Sequence, residues 1–318
     1  MIQNIRMILG IEIEPSSVRV AQVEKKYELV QWEIFEIPEG VLSNEGIIDS
    51  EALVKVLMKI PTKFNLKSPK ATLGISGPTN TAVKIFQVPY VDRDEIALNL
   101  PFEIDKQIPF SAKEIYYDFH ILNRSKEKGI SEILLAVANK QIINEFVQIF
   151  DKAGINLAII DICALALYNI YEINYSNNET VAVINIGENV INFAISIRNK
   201  PIYIRDSSLT LNINIDKATE EEIRSFSDEV SAEIYRQIEY FRTFISNESV
   251  QMIYLTGFPL VSPVFISTVQ ERLEQQVLIF DPFRKVKINK KISSKMHNYL
   301  NIASISIGLS LRGTESIK

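Results

Sequence analysis

The chain has 318 residues, 47% hydrophobic and 23% charged, with a net charge of -5. That length passes the roughly 250–300 residues at which a single core stops growing, so two domains are expected. No Lys/Arg cluster forms a stripe, which excludes a nucleic-acid binder, and the single cysteine, Cys163, excludes a disulfide framework.

A mildly acidic surface also argues against direct adhesion to anionic lipid. The first residues, MIQNIRMILG, lack the long apolar stretch and cleavage site of a signal peptide. The most apolar stretch, Ile155–Ile173, carries Asp161 and Glu172 and suits a buried strand and helix better than a membrane span. The expectation is a cytoplasmic protein that reaches a membrane only through partners.

Three strands are expected first: Met7–Ile13, Val18–Glu24 and Tyr27–Ile37, with a turn at Glu14-Pro15-Ser16. Tyr27, Trp32 and Phe35 are expected in the first core. A helix follows over Asp49–Lys59, then a strand over Lys70–Ser76 punctuated by Gly77-Pro78. Lys84–Val91 reads as a strand. Asp92–Gln107 reads as a helix with a capping box at Asp92/Glu95, interrupted by Pro101 and ended by Pro109-Phe110. Tyr116–Leu122 and Glu132–Ala138 are expected to pair across the charged loop Asn123–Gly129. Gln141–Ala153 is an amphipathic helix closed by Gly154. Ala158–Asp161 is a strand and Ile162–Tyr171 a helix.

After the polar linker Asn174–Glu179 the pattern restarts. Thr180–Ile186, Asn192–Ile197 and Pro201–Ser207 read as strands and Glu220–Ser246 as a long helix. Val250–Thr256 is a strand ending at Gly257. Ser262–Gln276 is a helix, Val277–Phe280 a strand and Asn298–Leu311 a final helix. A meander followed by alternating helices and strands thus occurs twice. This implies two similar α/β halves, 1–178 and 179–318, with a cleft between them and a small subdomain inserted at about 84–138.

Particular segments then carry a resemblance. Gly10-Ile-Glu-Ile-Glu-Pro-Ser-Ser-Val-Arg19 resembles the first phosphate loop of the PilM family of type IV pilus assembly proteins. Val88–Ile96 and Phe102–Phe110 are similar to that family's inserted subdomain. Ala153–Asp161, Ala164–Leu167, Asp281-Pro-Phe283 and Ile307–Arg312 resemble its later signatures. The resemblance implies a duplicated actin-like (ribonuclease H-like) fold and a scaffold role in a pilus or related secretion machine at the inner membrane.

It also implies an ATP site between two hairpins, with Mg²⁺ organised through water. Carried over, Glu12, Ser16, Ser17 and Arg19 are the first hairpin's contributors. Asn185 and Gly187 come from the second, and Gly257 and Phe258 take the adenosine position. Glu233 and Gln237, one turn apart on a helix, could reach ribose hydroxyls. Glu12 and Asn185 would serve the metal. Asp161 is the candidate general base, with a helix N-cap as the structural alternative.

Three departures weaken the catalytic part. Glu14 stands where the family usually has Gly, Asn185 where it has Asp, and Phe258 where it has a second Gly. Weak or absent ATPase activity is therefore expected. The resemblance further implies a groove, between the first half and the insert, for the cytoplasmic N-terminal peptide of a PilN-like bitopic membrane protein. Val88, Tyr90, Leu98, Phe102, Ile108 and Phe110 are the candidates for it. Two alternatives stay open: an active actin-fold ATPase or kinase, and an FtsA-like filament former. His120, His297 and Cys163 have no partners at ligand or catalytic spacing and are set aside. The basic run Arg284–Lys291 reads as a solvated strand edge.

Overall fold

The computed structural model describes residues 8–24, 26–43, 46–108, 110–175, 178–210, 213–296 and 299–315. Met7, Pro109, His297 and Asn298 lie outside the described residues. The chain opens with an antiparallel meander, β1 (Ile8–Glu14), β2 (Ser17–Glu24) and β3 (Glu28–Glu36). Trp32 is buried there, but Tyr27 is exposed at a positive-φ turn. A short pair, β4 (Leu42–Ser43) and β5 (Gly46–Ile47), precedes α1 (Ser50–Leu57), which Asp49 caps by accepting the Ala52 N–H at 3.0 Å. One further turn, α2 (Lys59–Lys63), leads to β6 (Lys70–Ile75), which runs parallel to β1.

The insert comprises β7 (Thr81–Pro89), α3 (Arg93–Gln107), β8 (Ile115–Ser125) and β9 (Ile130–Asn139). It begins at Thr81, three residues before the expected strand, because pairing with β9 starts at once (Thr81 opposite Ala138). Asp92 caps α3 through the Glu95 N–H, and the helix runs through Pro101. Ile96, Leu100 and Ile104, at helical spacing, face the insert's own core. The charged loop is tighter than expected, since β8 and β9 extend to within a short turn at Lys126–Gly129.

The chain returns through α4 (Lys140–Lys152), β10 (Asn156–Ile162) and α5 (Cys163–Asn174). The second meander is β11 (Thr180–Ile186), β12 (Val190–Ile197) and β13 (Lys200–Ser208). Every β11 residue is buried, as a continuous apolar central strand requires. Then come α6 (Glu220–Tyr240), extended by a π-helical turn over Phe241–Ile245, and β14 (Met252–Gly257). A capping box, Thr219 with Glu222, starts α6. Next are α7 (Pro263–Arg272), β15 (Gln276–Ile279), β16 (Lys287–Ile288), α8 (Ser293–Met296) and α9 (Ser304–Glu315).

Among the described residues, three main sheets result: β10-β6-β1-β2-β3-β16, β13-β12-β11-β14-β15 and β7-β9-β8. The two terminal helices cross over. α5, which ends the first half, contacts β11, β12 and β13, while α9 contacts β1, β2 and β6. α9, although it follows the second meander in the chain, thus packs on the first sheet. Two serines lock α9 onto the first sheet: Ser310 Oγ donates to the Ile8 carbonyl and accepts the Val23 N–H, both at 2.9 Å. Trp32 Nε1 donates to Ser306 Oγ at 3.1 Å. Gly10 permits this contact, because a Cβ there would come within 2.0 Å of the Ser306 carbonyl. One buried core therefore spans both halves, from Trp32 through Tyr171 to Val183 and Phe280.

Candidate functional site

The β1–β2 and β11–β12 turns face each other and are joined by their own side chains. Ser16 N–H donates to Glu188 Oε2 at 2.9 Å and Ser16 Oγ donates to Glu188 Oε1 at 2.6 Å. In return, the Glu188 N–H donates to Glu14 Oε2 at 3.1 Å. Gly187 makes room: a Cβ there would meet Glu14 Oε1 at 2.7 Å. Arg19 lies buried beneath, with Nη1 3.2 Å from Glu12 and Nη2 3.7 Å from Glu188. Ser17 is buried where β2 begins.

Burial sets the charge states here. It pushes the Glu14 carboxyl up to about 8, with Arg19 opposing and Glu12 and Glu188 reinforcing. Burial also raises Glu12, again against the pull of Arg19. The Arg19 guanidinium holds its proton more tightly than usual because the three glutamates outweigh its own desolvation.

The second hairpin continues into a chain of amides. Asn185 Nδ2 donates to Asn192 Oδ1 at 3.0 Å, and Asn192 Nδ2 donates to Asp206 Oδ1 at 2.8 Å. Asp206 Oδ2 accepts the Gly77 N–H at 2.8 Å and Thr81 Oγ1 at 3.2 Å. Asp206, unnoticed in the sequence, thereby ties β13 to the start of the insert. A lone acid in an apolar strand was its only sequence signal.

These residues do not fit a bound Mg·ATP as they stand. The Ser16 and Glu188 N–H groups that could cradle phosphate are held by carboxylates. A phosphate would have to displace these carboxyl oxygens from both sets of donors before it could be cradled. The cation paired with Glu12 is Arg19 itself. The adjoining cleft, lined by Glu14, Gly74–Asn80 and Asn189, holds about 120 Å³, below the roughly 300 Å³ at which ligand pockets usually begin.

The remaining nucleotide candidates all have partners within the fold. Glu233 accepts from Ser207 Oγ and from Gln237 Nε2, and pairs with Arg236 at 2.8 Å, while Tyr203 OH donates to Gln237. Both are thus bound to β13 and α6. Gly257, at φ 126, lets β14 approach β11, as a Cβ would lie 2.2 Å from the Ile186 carbonyl. Phe258 is half-buried against Phe226, with ring centroids 5.9 Å apart. Asp161 does not face the hairpins. Its Oδ1 accepts the Ile162 N–H at 2.8 Å and its Oδ2 lies 3.6 Å from Arg312 Nε. Ile162, not Asp161, is the N-cap residue of α5.

The six groove candidates separate. Val88 and Ile108 are buried in the insert's core. Phe110 packs beside them and lines a different cleft, between β7 and β13. Leu98 and Phe102 are 75% and 71% exposed on the outer face of α3. Tyr90 is exposed near Arg124. None of the six lines the cavity walled by β8, α4 and β10, although Ile108 lines the β7–β13 cleft beside Phe110. That cavity, of about 570 Å³, has walls of Tyr116, Tyr117 and Ala136 from the insert, Ile143 and Val147 from α4, and Leu157–Ile162 from β10. Tyr116 OH donates across it to Asn144 Oδ1 at 3.2 Å. Among the described residues, β10 and β8 are edge strands of their sheets, so both walls present strand edges.

Two α/β halves with crossed terminal helices, a pair of facing hairpins and an inserted three-stranded subdomain define an actin-like protein. The chain is similar to a structure described as the "PilM-PilN type IV pilus biogenesis complex", with a TM-score of 0.85, 19% identity, and coverage of 97% of this chain and 98% of that one. The cytoplasmic domain of EpsL, an inner-membrane component of the type II secretion system of Vibrio cholerae, is similar at a TM-score of 0.51 and 6% identity, covering 98% of this chain and 95% of that one. The ethanolamine utilization protein EutJ from Carboxydothermus hydrogenoformans is similar at 0.51 and 11% identity, covering 96% and 89%. The model of the type IV pilus assembly protein PilM family matches residues 10–212 and 212–314. The chain belongs to that family.

Proposed function

We propose that this protein is a scaffold of the type IV pilus inner-membrane platform. In this reading it receives the cytoplasmic N-terminal peptide of a PilN-like bitopic membrane protein and is held at the membrane by it. The groove between β8 and β10 is the observation that carries the reading. Its apolar walls suit alternate side chains of an extended peptide, and its strand edges can satisfy the peptide's backbone. No described helix is long and apolar enough to cross a membrane, so the proposal assigns the anchoring to the partner. Leu98 and Phe102 have no part in this groove. Turnover of ATP is not part of the reading, because the hairpin donors are engaged by Glu14 and Glu188.

Calorimetric titration with the partner's N-terminal peptide tests it. Saturable binding is expected, lost in Val147→Asp and retained in Leu98→Ser/Phe102→Ser. Val147 is 45% exposed, so its charge should block the groove without unfolding the protein. Absence of binding to the native protein would reject the proposal.

A further inference from the structure

A ligand held between these two hairpins would bridge the halves. Here the bridging is done by the chain. The exchange is reciprocal: each turn's backbone N–H is bonded by the carboxylate of the other turn, between residues 172 and 174 positions apart. Ser16 adds its hydroxyl to the same Glu188 carboxylate. Gly187 is the residue that lets a ligand oxygen come close, and the oxygen beside it belongs to Glu14. Beneath, Arg19 supplies the positive charge between Glu12 and Glu188.

We propose that Glu14 and Glu188 are built-in replacements for phosphate: they clasp the two halves closed without nucleotide and make the cleft refuse nucleoside triphosphates. Carboxyl oxygens can stand in for phosphate oxygens because both accept hydrogen bonds from backbone N–H and hydroxyl donors. The clasp turns an arrangement that ligands could open and close into a permanent contact. Its failure is distinct from failure of the scaffold reading, since peptide capture at the β8–β10 groove is measured separately.

The test uses the full chain and two probes, Mg·ATP and inorganic pyrophosphate. The native protein is expected to show no binding heat with either and no thermal shift at millimolar concentration. Saturable binding of either probe to it overturns the proposal. Glu14→Ala combined with Glu188→Ala frees both sets of donors. That variant is expected to melt lower than the native protein and to be restabilised by pyrophosphate by several degrees. A folded double variant that ignores pyrophosphate overturns the proposal. Should it not fold, Glu188→Gln keeps the shape and removes the charge. Hydrogen exchange at the Ser16 N–H is then expected to speed up by about tenfold or more, and unchanged protection overturns the clasp.

Discussion

Asp206 on β13 accepts the Gly77 N–H at 2.8 Å, 129 residues away in sequence, at the point where the chain leaves the first sheet for the insert. The same carboxylate serves Thr81 and Asn192. One buried acid therefore fixes three elements: the second meander, the turn at Gly77 and the first strand of the insert. Burial raises its proton affinity, and the three donors oppose that rise.

Asp206→Ala should be among the most damaging single substitutions. It strands the Gly77 N–H and the Asn192 amide in a buried setting and leaves the Thr81 hydroxyl only the Gly77 carbonyl, at a cost of about 3 kcal/mol. Urea denaturation measures it. A loss within experimental error would show that water replaces the carboxylate.

Stability should fall with rising pH through the hairpin cluster. The Glu14 carboxyl is pushed up to about 8 from 4.5, chiefly by burial, so the folded chain holds a proton that the unfolded chain releases. That contribution is complete below 4.5 and is lost as pH climbs through about 8. Glu12 is raised in the same direction. The urea midpoint is expected to be lower at pH 9 than at pH 6, and Glu14→Gln should make the decline shallower. An identical slope in the variant would contradict this.

The crossing of α5 and α9 depends on Gly308. A Cβ there would lie 2.2 Å from the Ala166 carbonyl, a backbone atom that cannot turn aside. Gly308→Ala should therefore cost about 3 kcal/mol through overpacking, even though alanine favours helices. Thermal melting checks the sign, and a gain in stability would refute the packing argument.

Within the insert, exposure should decide the outcome of substitution. Leu98→Ser and Phe102→Ser are expected to stay within about 0.5 kcal/mol of the native protein. Ile108→Ala, at 7% exposure, should lose about 2 kcal/mol or more. Equal effects would mean that the outer face of α3 is covered in solution.

The sequence and the structure agree where local periodicity decides. The two meanders, the duplicated plan and the insert's helix all rest on apolar spacing or capping, as at Asp92 and Glu95. Glu14 stood out as a departure at the first turn, yet only as a source of repulsion. Its role needs Glu188 opposite it, and no local pattern joins residues 174 apart. The six groove candidates separate in the fold for another reason. Composition marks Val88, Leu98 and Ile108 alike as apolar, but helix phase exposes Leu98, while Ile108, in extended backbone just past α3, is buried. The walls of the groove proposed above include Val147 and Leu157, which no sequence pattern singles out. Asp161 was placed at a strand end correctly, whereas its partner Arg312 comes from a helix that the chain delivers last.

That late delivery has a consequence for synthesis. The face of β1 that carries Gly10 is covered by residues some 300 positions downstream, Ser306 and Ser310. A ribosome makes the first sheet early, but cannot supply its cover until the last helix has left the exit tunnel. Until Ser304–Glu315 has been made, the N-terminal meander must wait with an apolar face open. Nascent chains arrested before Ser304 should therefore recruit chaperones, and release of the final segment should end that dependence.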